Sequence, residues 1–232
     1  MRGMRRPEKL QQMRWCAIVL VMAGVTGLCP AVPVMVPLVG KDFDALGAGG
    51  PATAVVSAPF NYSDQFTGIV FSQAYELASS DSYLYLYQVE NTGPTVLEVL
   101  GVCPFYQVEE AGYLTANQPV PFLDTTTGLT PYGPSGPSMS YDVDLPKPVV
   151  SFNYPSVLGA HLPAGAHSVV LYLISPNPPV SGDAYVIDGG ALVVDAVVTV
   201  PEPTLTLLLG LGSLAVPSWR RRRKSSCGRQ RR

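Results

Sequence analysis

Two histidines, His161 and His167, stand six residues apart around the turn Leu162-Pro163-Ala164-Gly165-Ala166. Either could serve a hydrolase as a general base. No Gly-x-Ser-x-Gly elbow accompanies them, so the same pair also reads as polar residues flanking a Pro/Gly turn. Cys103, next to Pro104, has the type of a nucleophile. A single Cys at a strand end also behaves as a small buried hydrophobe. Acid pairs occur at Asp42/Asp44, Glu109/Glu110 and Asp142/Asp144. The Asp-x-Asp spacing puts two carboxylates on one strand face, a start toward oxygen ligation of calcium, but no EF-hand loop surrounds either pair. No CxxC pair or Cys/His cluster points to zinc, and no Gly-rich phosphate cradle points to a nucleotide. Tyr83, Tyr85 and Tyr87 alternate along one stretch. Exposed, such a stripe suits stacking on sugar rings; buried, it is cross-strand aromatic packing.

The elements that would position these groups read as β-strands. Residues 82–90, SYLYLYQVE, place Tyr83, Tyr85, Tyr87 and Val89 on one face and Leu84, Leu86 and Gln88 on the other. That is period two with aromatic and β-branched side chains. Asn91-Thr92-Gly93-Pro94 is a turn signal, and residues 95–102 are the expected partner strand. Asp188-Gly189-Gly190 links a strand at 184–187 to one at 192–200. Further strands are expected at 67–77, 149–153 and 167–174. Long helical periodicity is lacking and prolines are many. Seven or so short strands predict an all-β body, an antiparallel β-sandwich, with a jelly roll or barrel as the rival.

Charge is sorted along the chain. Arg2, Arg5, Arg6, Lys9 and Arg14 lead; Arg220, Arg221, Arg222, Arg223, Lys224, Arg229, Arg231 and Arg232 close. Between Pro30 and Val200 only Lys41 and Lys147 are basic against fifteen acids, a net charge of −13. Such a body has nothing to neutralise phosphates, which argues against nucleic-acid binding. Basic clusters beside apolar runs instead follow the positive-inside pattern of membrane segments.

Residues 15–28 form an apolar run after a basic leader, the length of a signal-peptide core rather than a span. An uncleaved N-terminal anchor is the other reading, and either one exports the body. Of the cysteines Cys16, Cys29, Cys103 and Cys227, only Cys103 falls in the body, which argues against a disulfide-stapled fold. Leu28 before Cys29 and Pro30 after it argue against lipidation.

The C-terminal end carries three devices in order. Val200-Pro201-Glu202-Pro203 holds the backbone extended and presents the Glu202 carboxylate. Residues 204–219 are an apolar run ending on Trp219, suited to insert as a helix with an interfacial aromatic. Arg220, Arg221, Arg222, Arg223 and Lys224 would stop transfer.

This ordered tail resembles the PEP-CTERM sorting domain of exported bacterial proteins. The resemblance implies that Pro201, Glu202 and Pro203 are a recognition and processing site for an exosortase-type membrane transpeptidase, which supplies the nucleophile. It extends into the body through Tyr87-Gln88-Val89-Glu90-Asn91-Thr92, the late strand at 169–174 and Val186-Ile187-Asp188-Gly189-Gly190. A plain tail anchor without processing is the simpler alternative.

The expected organisation is a signal peptide at 1–31, a Gly/Ala/Pro-rich lead-in at 32–59, a β-sandwich body at 60–199 and the sorting tail at 200–232. The expected function is that of a structural or interaction protein of the cell envelope or extracellular matrix, not an enzyme, with no cofactor and no metal. It would be held in the inner membrane by a C-terminal transmembrane helix until processing, then displayed at the cell surface or released. A polysaccharide-binding surface module using the tyrosines, with extracellular polysaccharide as partner, is the first alternative. A secreted hydrolase using the histidines is the second.

Overall fold

A computed structural model describes residues 33–63, 66–133, 136–142, 147–154, 161–188 and 191–199. The expected signal helix and C-terminal transmembrane helix lie outside these residues. Among the described residues no helix is long and apolar enough to cross a membrane.

The described chain is all-β. In chain order the strands are β1 (Val34–Pro37), β2 (Val39–Lys41), β3 (Ala48–Pro51), β4 (Val56–Tyr62), β5 (Phe66–Leu77), β6 (Tyr83–Asn91), β7 (Val99–Cys103), β8 (Glu110–Leu114), β9 (Tyr132–Gly133), β10 (Gly136–Asp142), β11 (Val149–Asn153), β12 (Leu171–Ser175), β13 (Pro179–Ile187) and β14 (Ala191–Thr199). A 3-10 turn spans Asp44–Leu46.

The strands form two seven-stranded sheets. The first runs β1-β10-β11-β7-β13-β14, with β9 beside β10. The second runs β2-β8-β12-β6-β5-β3, with β4 also on β5. The long β5 takes β3 and β4 one after the other along a single edge. Strand pairing is antiparallel except for β2 on β8. The chain passes from the first sheet to the second within one residue, the buried Leu38 between β1 and β2, whose N–H donates to the Pro137 carbonyl at 2.8 Å.

One apolar core joins the sheets. Tyr85, Tyr87, Val89, Leu171 and Leu173 of the second sheet meet Leu100, Val102, Val150, Phe152, Ala184 and Val186 of the first. A fully buried side chain of this size stabilises the fold by roughly 1.5–3 kcal/mol. A second cluster covers the outer face of the second sheet, where Leu84, Leu86, Leu114 and Tyr172 pack under Leu46 and Phe122. Phe43 closes it edge-on against Tyr75, the rings 5.3 Å apart. The second sheet is therefore apolar on both faces, which is why β6 alternates two kinds of large side chain.

Polar bonds also cross between sheets. The Tyr87 hydroxyl donates to the Val197 carbonyl of β14 at 2.6 Å, and the Tyr85 hydroxyl donates to the Asn177 carbonyl, in the link from β12 to β13, also at 2.6 Å. The Val197 N–H donates to Ser72 Oγ at 3.0 Å. Both backbone groups of Val197 on the open edge of β14 are thereby taken by side chains of the other sheet, so that part of the edge is not bare.

Two expectations are corrected. The segment at 32–59 is not a lead-in: β1 to β3 and the start of β4 lie within it and join both sheets. Edge positions tolerate its prolines and glycines, since an edge strand has fewer ladder bonds to lose. Residues 95–102 do not pair with residues 82–90. β6 already has β5 and β12 on its two sides, and the strand there begins at Val99 in the first sheet between β11 and β13. The hairpin across residues 188–190 forms as expected, Ile187 opposite Ala191.

Candidate functional site

His167 sits just before β12, where its backbone bridges to Glu90. Its Nδ1 lies 2.9 Å from the Ser168 carbonyl and its Nε2 lies 3.2 Å from Thr127 Oγ1. The same Nδ1 lies 3.3 Å from Gln88 Nε2, so the ring is held among Ser168, Gln88 and Thr127. Asp124 is close by, but its carboxylate accepts from the Thr126 N–H at 2.9 Å and hydroxyl at 2.7 Å. Those bonds, with a smaller pull from His167, hold the carboxyl below its ordinary value. Asp124 thus closes its own turn rather than orienting the histidine. His161 is not drawn into this group, and its buried Nδ1 finds no hydrogen-bond partner among the described residues.

Cys103 ends β7 at 4% exposure, its Sγ 3.8 Å from the Lys147 carbonyl. Burial pushes the thiol up, against weaker opposing pulls from Tyr185 and Lys147. A thiol so placed stays protonated at neutral pH, the opposite of an activated nucleophile.

The acid pairs are divided among separate partners. Asp42 accepts from Thr115 Oγ1 at 2.5 Å and Asp44 from Asn117 Nδ2 at 2.9 Å, tying the 3-10 turn to the segment after β8. Glu109 accepts from Ser82 at 3.0 Å. Glu110 pairs with Lys41 at 2.5 Å and accepts from the Tyr172 hydroxyl at 2.6 Å. Burial alone would raise the Glu110 carboxyl, but the Lys41 and Tyr172 bonds outweigh it and hold it below its ordinary value. Asp144 lies outside the described residues. Among those described, no three His, Cys, Asp or Glu gather to hold a metal ion.

The tyrosine stripe faces inward. Tyr85 and Tyr87 are fully buried, edge-on to Phe105 with ring centroids 5.0 and 6.5 Å away, and Tyr83 is half-buried. The reading of Tyr83, Tyr85 and Tyr87 as a sugar-stacking platform is therefore corrected: two of the three rings offer no face to a ligand. With sheet packing on both faces of β6, the large rings take the intersheet side.

Two polar residues of β6 carry more than the sequence reading assigned to them. Gln88 is fully buried; it accepts from the Leu123 N–H at 2.7 Å and donates to the carbonyls of Leu123 at 3.2 Å and Ser168 at 2.9 Å. Asn91, also fully buried, donates to the carbonyls of Thr95 at 2.7 Å and Leu162 at 3.0 Å and accepts from the Gly93 N–H at 3.2 Å. The stretch Tyr87-Gln88-Val89-Glu90-Asn91 is thus tied to Leu123, to Leu162 and Ser168 ahead of β12, and to Val197. The signal was present in the sequence: Gln88 interrupts the apolar face begun by Leu84 and Leu86.

The expected sorting residues Pro201, Glu202 and Pro203, and the stop-transfer residues Arg220, Arg221, Arg222, Arg223 and Lys224, lie outside the described residues. The point from which they continue is described. Val198 and Thr199 are fully buried at the end of β14, and Thr199 Oγ1 accepts from the Tyr106 N–H at 2.5 Å. Only Val200 separates this anchored strand end from Pro201. No protein-family model, no curated protein and no solved structure matches the chain.

Proposed function

We propose that this is an exported cell-envelope or extracellular-matrix protein whose body has a structural or interaction role and whose tail is a PEP-CTERM sorting signal. The observation that carries the reading is the ordered tail: Pro201-Glu202-Pro203, an apolar run, then Arg220, Arg221, Arg222, Arg223 and Lys224. The confinement of nearly all basic residues to the two ends supports it independently. The spending of Gln88, Asn91, Asp42, Asp44 and Glu110 on internal ties favours a scaffold over an enzyme. We read the two sheets as the halves of an antiparallel β-sandwich, flanked by a signal helix and a C-terminal transmembrane helix. The partner is an exosortase-type membrane transpeptidase, and the membrane attachment lasts until the tail is processed.

Pulse-labelling with cell fractionation and intact-mass analysis tests this. The expected product has lost residues on both sides of the body and moves from the membrane to the surface or medium. Replacing Pro201, Glu202 and Pro203 together with alanine is expected to arrest it as a membrane-bound precursor. A product that stays in the cytoplasm, or normal processing of the triple variant, would refute the reading.

A further inference from the structure

We infer that the body meets the membrane by one particular end, the end built from Tyr106, Ser175, Asn177 and Thr199, and that the opposite end, with the loops at 92–97 and 161–166, points away from the lipid. The inference rests on the reading of residues 204–219 as a membrane segment and adds an orientation to it.

Strand register carries the argument. Val34 lies opposite Tyr141, Tyr141 opposite Val150, Val150 opposite Val102, Val102 opposite Ala184, and Ala184 opposite Val194. Val34 and Val194 therefore stand on one level at the two far edges of the first sheet. β1 leaves that level toward Pro37, opposite Ser138. β14 arrives from the Pro37 side, crosses the level and runs five residues beyond it to Thr199. β1 and β14 thus run in opposite senses, and β14 delivers the chain to the end of the sheet away from Pro37.

The turns at that end are fixed by hydrogen bonds around the exit. The Tyr106 N–H donates to Thr199 Oγ1, and the Tyr106 carbonyl accepts from Ser175 Oγ at 2.8 Å and from Asn177 Nδ2 at 3.2 Å. In the second sheet Ser175 lies opposite Tyr83, so the turn at 78–82 belongs to the same end. The far end is marked by Asn91, whose carbonyl accepts from the Gly165 N–H at 2.8 Å, and by Leu97 bonded to Leu162.

The tether is too short to invert this. From Thr199 to Thr204, where the apolar run begins, an extended chain reaches at most roughly 18 Å. From Tyr83 to Asn91 the body alone measures about 27 Å along β6. A body held on less than its own height cannot bring its far end to the bilayer in place of its near one. The net charge of −13 between Pro30 and Val200 opposes a sideways collapse onto an anionic surface.

The test uses the full chain in phosphatidylcholine vesicles with an energy-transfer acceptor on the headgroups. A donor dye is attached through a single non-natural amino acid at Ser80, on the near turn, or at Ala164, on the far one; both positions are exposed. The roughly 27 Å between the levels makes transfer from Ser80 at least about twofold higher than from Ala164. Equal transfer, or higher transfer from Ala164, in protein that floats with the vesicles overturns the orientation alone. Protein that fails to float overturns the membrane reading of the tail and the orientation with it.

Discussion

The hydroxyl of Tyr87, in the middle of one sheet, donates across 2.6 Å to the carbonyl of Val197, on the edge strand of the other. Replacing Tyr87 with phenylalanine keeps the ring in the core and strands a buried acceptor. Leaving such a group unpaired costs about 1–3 kcal/mol. Urea unfolding followed by circular dichroism is expected to show that loss in Tyr87→Phe. The half-buried Tyr83→Phe is expected to stay within about 0.5 kcal/mol of the parent.

Gln88 gives a second, local prediction. Gln88→Ala removes one acceptor and one donor that serve both Leu123 and Ser168, at a cost on the order of 2–3 kcal/mol. The segment around Leu123 should open before the sheets do. Limited proteolysis is expected to cut the variant near Leu123 while the parent resists, and cleavage elsewhere first would contradict the role.

The buried tyrosines set an alkaline limit. Burial raises Tyr85 and Tyr87 above the ordinary value of 10.0, with each neighbouring tyrosine adding to it, and it raises Tyr172, where Glu110 adds to it. For groups raised in the folded state, the stability they contribute is complete below the unfolded value and falls as pH climbs past it. The protein should therefore be stable at neutral pH and lose stability progressively above pH 10. Ultraviolet absorbance is expected to show these tyrosines ionising together with unfolding, not before it.

Cys103 should be chemically silent while the body is folded. In protein carrying Cys16→Ser, Cys29→Ser and Cys227→Ser, a thiol reagent is expected to label Cys103 only as fast as the surrounding strands open. Rapid labelling of the native protein would contradict its burial and raised thiol.

The strands that could be read in the sequence are those with unmixed period two. The reading at 149–153 coincides with β11, that at 67–77 falls within one residue of β5, and β13 pairs with β14 from Ile187 opposite Ala191. The first three strands were hidden because VMVP and AGGP carry proline and glycine that local propensity assigns to loops. Partner choice was hidden for another reason. Whether residues 95–102 pair with β6 depends on β12, which lies some seventy residues later and occupies the place. Alternation also gives the face of a side chain without saying which face is covered. In β6 both are, so Tyr85 and Tyr87 could not be told from a surface stripe. For the chemical residues, types were legible but partners were not: the same Asp-x-Asp spacing that invites a cation is divided here between Thr115 and Asn117.

The capping of β14 by Ser72 and Tyr87 makes synthesis order into a folding clock. Residues 191–199 are the last of the body to be made, yet β13, Ser72 and Tyr87 all await them. Until they arrive, one margin of the first sheet is open and two buried polar groups of the second lack their acceptor and donor. The final strand is thus the one that completes both the sheet margin and these two bonds. The moment the body can close is also the moment the residues after Thr199 come into play.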